Sequence, residues 1–278
     1  MTEKHSKLKT IVLAFSALIV HSACLTAFSS IFDNYNHCRI AVFLVTGCLG
    51  LLYIKTVLKE PKTYEPPDKQ FLIAAGVVLL VFVFASTFTA NFIINVISSA
   101  SESESAAVNS ASEADAVVSV LISIFLAPFA EEVVFRGFMY KQLSRFGENK
   151  AIIISAIVFA LFHGTAAHLY TAYFGGLILA CIYCKTKKLR YSYIWHVLFN
   201  ALTLAVNAII NTFVTLDMMV ICVLIIISNV FLVIAILRLF QTRGTVPLQS
   251  NKPKTDKYND AETKRIVAEV LNERKSRR

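Results

Sequence analysis

Apolar residues in this chain come in long runs separated by short polar stretches. Runs of near-spanning length cover about residues 11–30, 40–57, 71–98, 116–143, 151–168, 169–184, 193–213 and 216–240. A bilayer's hydrocarbon core, about 30 Å thick, is crossed by about 20 apolar residues in helical form. The pattern therefore predicts an all-α, polytopic membrane protein with about eight transmembrane helices. The sixth run is short. The fourth is interrupted at 129–138 by FAEEVVFRGF, where two acids and an arginine stand in the middle of an apolar helix.

Composition agrees with a chain that lives in lipid. Hydrophobic residues make up 56% and charged residues 16%, and the mean hydropathy is +0.63, which leaves too little polar surface for a soluble domain. The six cysteines lie mostly inside apolar runs, which argues against a disulfide framework, and Cys181-x-x-Cys184 has no second ligand pair for a metal. The net charge of +9 adds an orientation. Lys4, Lys7 and Lys9 precede the first run, and Lys55, Lys59, Lys62 and Lys69 separate the second from the third. Arg136, Lys141, Arg145 and Lys150 lie in the second half of the fourth and just after it, Lys185, Lys187, Lys188 and Arg190 follow the sixth, and Arg238 with a basic tail follows the eighth. The alternate connections hold one basic residue, Arg39, and the stretch 99–115 carries acids instead. Basic residues stay in the cytoplasm, so both termini are expected there, in a cell membrane. The first run has the basic start and apolar centre of a signal peptide but no convincing small-x-small cleavage site, and a retained helix is expected.

The chain divides by composition into residues 1–112 (three helices and an external Ser/Glu-rich loop), 113–213 (where polar residues recur inside the runs), 214–240 (a last helix) and 241–278 (a basic, largely disordered tail). A Pro-rich cytoplasmic loop lies at 58–70. Near the end of the tail, TKRIVAEVLNERKSRR has the spacing of a short amphipathic helix, a place for anionic lipid or simply a solvated tail. Nothing points to nucleic acid. No internal repeat of the kind found in many transporters is evident.

Each ionisable group in lipid costs about 2.5–3.5 kcal/mol on insertion scales, so such groups default to functional hypotheses. The fourth run carries Glu131, Glu132 and Arg136, the fifth ends in Phe159-Ala-Leu-Phe-His163, and the seventh contains His196-Val-Leu-Phe-Asn200. Residues four apart share a helix face, so Glu132 can pair with Arg136, and His196 projects with Asn200. Glu131 points about a quarter-turn from Glu132. Counting helical rise from the cytoplasmic ends puts Glu131 about 21 Å deep, His163 about 20 Å, Asn200 about 15 Å and His196 about 9 Å, which lets them meet. A carboxylate beside an imidazole can take a proton from water and return it to a leaving amine. An imidazole and a carboxamide on one face can donate to an oxyanion. Such a set suits amide hydrolysis. Taken singly, each has a blander reading: the Glu–Arg pair as structural glue, a buried His as a packing residue, Phe159 and Phe199 as wall. Pro128 is expected to bend the fourth helix before the acids. His168 is expected at an outer interface, with His5, His21 and His37 outside the cluster.

EExxxR at 131–136, FxxxH at 159–163 and HxxxN at 196–200, in that order on successive polar helices, resemble the CPBP intramembrane proteases. That group includes CAAX prenyl endopeptidases and bacterial Abi and bacteriocin self-immunity proteins. The likeness covers about residues 113–213. It implies an intramembrane endopeptidase acting on a membrane-embedded or lipid-anchored protein. In that reading Glu131 activates water with His163, Arg136 organises Glu132, and His196 and Asn200 form an oxyanion hole. Zinc held by Glu131, His163 and His196 is compatible with the residues. A metal-free site uses the same groups without an additional species and is preferred. A non-catalytic immunity or scaffold protein using the cluster to bind a partner is the alternative, and proton-coupled transport stands a distant third.

Overall fold

The computed structural model describes residues 3–58, 67–100, 113–164, 166–213 and 217–242. Residues 101–112 of the Ser/Glu-rich loop, 59–66 of the Pro-rich loop and 243–278 of the basic tail, with the amphipathic helix expected there, lie outside the described residues. Everything described is helix, turn or short connection, with no strand among the described residues.

Helix α1 runs Glu3–Ser29, α2 Tyr35–Tyr53, α3 Lys69–Ala100, α7 Glu148–His163, α8 Ala166–Thr186, α9 Leu189–Phe213 and α10 Met218–Thr242. The fourth apolar run is built differently. It comprises α4 (Glu113–Leu121), a π-helical turn at Ile122–Leu126, α5 (Ala127–Glu132), a second π-helical stretch at Val133–Tyr140 and the single turn α6 (Lys141–Leu143). Pro128 lies in the first turn of α5 and supplies no N–H, while Ala127 before it bonds back five residues to the Ile122 carbonyl. Widened turns therefore flank the two acids on both sides.

Local chemistry sets the helix ends. Asn34 caps α2, its side chain accepting from the Asn36 and His37 N–H groups. Asp68 caps α3 through a bond from the Phe71 N–H. Gly147, at φ 114°, precedes α7, and Gly164, at φ 72°, ends it in the left-handed conformation glycine takes without a Cβ penalty. Among the described residues, seven helical segments are long and apolar enough to cross a membrane, one fewer than the eight expected. The missing one is α7, which has 16 residues, about 24 Å of rise. The Gly164 stop shortens it and hands residues 166–168 to α8. α7 still runs the length of its partner, since Glu148 at its start bonds Lys187 just beyond the end of α8. The sorting of charge therefore survives the lost span. Lys55, Lys69, Arg145, Lys150, Lys185, Lys187 and Arg190 all sit at helix ends that alternation puts on one side, and Arg39 sits at the other.

α7 packs on α8, α10 on α3, and α1 on α2, while α3 also touches α8 and α9. The core between them is aromatic and branched-aliphatic. Phe82 stacks on Phe199 at 4.5 Å, and Phe135 meets Phe159 edge-on at 4.8 Å. Ile152, Ile178 and Ile182 fill the α7–α8 seam. Outward faces carry exposed Ile19, Leu52, Ile73, Leu80, Ile226, Phe231 and Leu237, as surfaces solvated by lipid do. Polar bridges tie the outer helices to the bundle: Asn91 donates to Asn207 at 3.0 Å and Asn229 to Thr89 at 3.1 Å.

Candidate active site

Adjacent residues on an α-helix point about 100° apart, and α5 uses that angle to give its two acids different surroundings. Glu132 is buried, 1% exposed. Its Oε1 lies 3.2 Å from Arg136 Nη1 one turn on, and accepts a hydrogen bond from His196 Nδ1 at 2.9 Å. Arg136, equally buried, donates through Nη2 to the Gly176 carbonyl at 3.2 Å and lays its guanidinium 4.6 Å over the Phe159 ring. The two charges compensate each other out of reach of solvent, and together they tie α5 and the π-stretch to α7, α8 and α9.

Glu131 faces the other way, into a cavity of about 390 Å³. His163, His196 and Asn200 line the same cavity, with Phe159 and Phe199 as walls. His196 stands between the two acids. Its Nδ1 is bonded to Glu132, and its Nε2 lies 3.7 Å from Glu131 Oε2, too long for a direct hydrogen bond. His163 is fixed from behind: its Nδ1 lies 2.8 Å from the Phe159 carbonyl, and a carbonyl only accepts, so Nδ1 carries the proton. In the neutral ring Nε2 is then the acceptor. Asn200 Nδ2 donates to the Ser123 carbonyl at 2.8 Å, which leaves one N–H and the amide oxygen uncommitted by that bond.

All six sequence-predicted residues thus fall into one site, four on the cavity wall and two supporting it. One relationship differs from expectation. The imidazole within ion-pair reach of Glu131 is His196, and no His163–carboxylate pair lies within that reach among the described residues. The cavity also takes in residues that sequence reasoning left aside: Arg39, Ser123, His168, Thr171 and Thr203. His168, expected at an outer interface, lies on the wall because Gly164 turns the chain back and places it in the first turn of α8. His21 stays just outside, bonded to Thr46 at 3.2 Å with the Phe162 ring 5.2 Å away.

Among the described residues no three His, Cys, Asp or Glu side chains form a group able to hold a metal ion. Glu131, His163 and His196 share the cavity without converging into a ligand set, so the residues do not fit zinc as they stand, and no step below passes through a metal.

Residues 113–202 match the family model described as Rce1-like, Type II CAAX prenyl endopeptidase Rce1-like. No curated protein and no solved structure matches the chain. The matched stretch opens with α4 and runs into α9, and it contains both acids, Arg136, both site histidines and Asn200. By that stretch, this all-helical integral membrane protein is similar to the CPBP/CAAX-type proteases.

Proposed function

We propose that the protein is an intramembrane endopeptidase that hydrolyses a peptide bond of a membrane-embedded or lipid-anchored protein. A single observation supports this above all: within the matched stretch, Glu131, His163, His196 and Asn200 line one cavity, and each is aimed by a partner behind it or beside it. With the basic helix ends in the cytoplasm, both termini are cytoplasmic, and a cell membrane is the setting.

The chemistry follows from donors and acceptors. Water in the cavity gives a hydrogen bond to His163 Nε2 and its proton to Glu131 as its oxygen attacks the scissile carbonyl carbon. The carbonyl oxygen becomes an oxyanion, stabilised by His196 Nε2–H and the uncommitted Asn200 N–H. His196 can serve as that donor because Glu132 accepts from Nδ1 and Glu131 stands near Nε2, so a proton on each nitrogen is matched by a carboxylate. Collapse of the tetrahedral intermediate breaks the C–N bond, Glu131 returns its proton to the departing nitrogen, and a carboxylic acid and an amine leave, the remaining hydroxyl proton then passing from acid to amine to give carboxylate and ammonium. Phe159, Phe199, Leu179 and Leu204 line the cavity beside these groups, and apolar neighbours weaken the screening of their dipoles. Arg136 takes no part in the steps; it holds Glu132, and through it the ring of His196.

The test compares full-length protein with Glu131→Gln, which keeps shape and removes the base, in proteoliposomes and in cells. Expected is a membrane protein shortened by the wild type and left whole by Glu131→Gln and by His163→Ala, with all three inserting equally. Equal processing by wild type and Glu131→Gln overturns the assignment. A phenotype that survives Glu131→Gln without any cleavage identifies a partner-binding role instead.

A further inference from the structure

Arg39 is the one basic residue at the helix ends opposite the cytoplasmic cluster, and it lines the cavity. Its Nη2 donates to Ser123 Oγ at 3.2 Å, and its guanidinium carbon lies 5.5 Å from the Tyr35 ring and 6.0 Å from the Phe43 ring. These contacts hold the planar group without neutralising it: no carboxylate stands within ion-pair distance of Arg39 among the described residues. Arg136, the other guanidinium of this region, has Glu132; among the described residues Arg39 has a hydroxyl and two aromatic faces. A half-buried guanidinium that lines a cavity can receive a planar anion in a two-pronged bond.

Resting on the peptidase reading, we propose that Arg39 is a specificity-determining residue that grips a carboxylate of the bound peptide. Ser123, which fixes Arg39 by its hydroxyl and Asn200 by its carbonyl, sets the distance between this grip and the reacting bond. The substrate therefore carries a carboxylate, either as an acidic side chain or as the chain end.

The experiment measures binding to full-length Glu131→Gln protein in nanodiscs, where no turnover intervenes. The probes are three fluorescent apolar dodecapeptides: one neutral and amidated, one amidated with a single internal Glu, and one with a free C-terminal carboxylate. At least one carboxylate-bearing probe is expected to bind about tenfold or more tighter than the neutral one, the lower range for a charge-assisted hydrogen bond. Which of the two does so assigns the side chain or the chain end. Arg39→Gln brings the ratio to near one, and Arg39→Lys, which keeps charge but loses the fork, leaves an intermediate value. Equal affinity for all three probes overturns the inference, as it would if Arg39 only anchored α2 to lipid headgroups. A ratio that holds while the wild type cleaves nothing sinks the peptidase reading alone; cleavage with a ratio of one sinks this inference alone.

Discussion

Glu132 and His196, 64 residues apart in sequence, meet at 2.9 Å inside the bundle, carboxylate oxygen to Nδ1. The bond does two things at once. It locks the orientation of an imidazole on the cavity wall, and it gives a buried acid a second partner besides Arg136. Structure and chemistry therefore share one atom, Glu132 Oε1.

Replacing Glu132 by Gln keeps the volume and removes the charge that Arg136 needs. Breaking a buried pair by removing one partner typically costs about 3–5 kcal/mol, whereas replacing both partners by apolar groups costs far less. Glu132→Gln and Arg136→Met are each expected to lower the thermal unfolding temperature in detergent sharply. The double variant is expected to recover much of that loss while staying inactive, because His196 no longer faces a carboxylate at Nδ1. Additive losses in the double variant would show that the pair is not energetically coupled.

Gly176 predicts a packing effect felt in the site. A Cβ there would lie 3.1 Å from Ala156 Cα, a backbone atom, and 3.3 Å from Phe159 Cδ1. The same glycine's carbonyl receives Arg136. Gly176→Val is expected to push α7 and α8 apart, cost about 1–3 kcal/mol as overpacking does, and reduce cleavage by shifting Phe159, whose carbonyl aims His163. Gly76→Ala is the control. A Cβ there meets only Trp195 at 3.7 Å, an ordinary contact, so unfolding temperature should stay level or rise.

Much of this was legible in the sequence, and the reasons are physical. Helical periodicity dictates that Glu132 and Arg136 share a face and that Glu131 does not. Lipid makes each buried charge conspicuous, so the three polar helices stand out against their apolar background. What periodicity cannot supply is the rotation of one helix relative to another. That rotation decides that Glu131 lies against His196 while His163 looks inward from Phe159. The end of α7 was open to reading, since Gly164 is a strong stop, but the apolar run continues past it to residue 168 and hides the turn. Arg39 carried a clear signal as the lone basic residue on its side. Its place in the cavity depends on α2 packing against the fourth run, and no local pattern announces that contact.

Asp68 lies outside the spans and gives a pH-dependent prediction. The Phe71 N–H bond, with Lys185 at 3.6 Å as a second cause, holds its carboxyl below the ordinary value. A depressed folded value means the cap contributes stability above the unfolded carboxyl range, near pH 4, and loses it as pH falls through the folded value. Asp68→Asn is therefore expected to unfold at a lower temperature than wild type at pH 7, and the two curves should converge on acidification. A gap that persists unchanged to pH 2 would mean that the charge of Asp68 contributes nothing.

Asn200 separates a binding role from a catalytic one. Its Nδ2 donates to the Ser123 carbonyl, so an Asp in its place sets one carboxylate oxygen against another acceptor and offers the substrate no N–H. Asn200→Asp should lose about 1–3 kcal/mol of stability from the unsatisfied contact. If the second N–H stabilises the oxyanion, that interaction forms only as charge develops on the carbonyl oxygen. Turnover at saturating peptide then falls about 10²–10³-fold while KM barely moves. Asn200→Ala removes the donor without adding repulsion and should show the same kinetic split with a smaller loss of stability. A rise in KM with kcat preserved would instead make Asn200 a residue that holds the peptide in its ground state, and the oxyanion would have to rest on His196 alone.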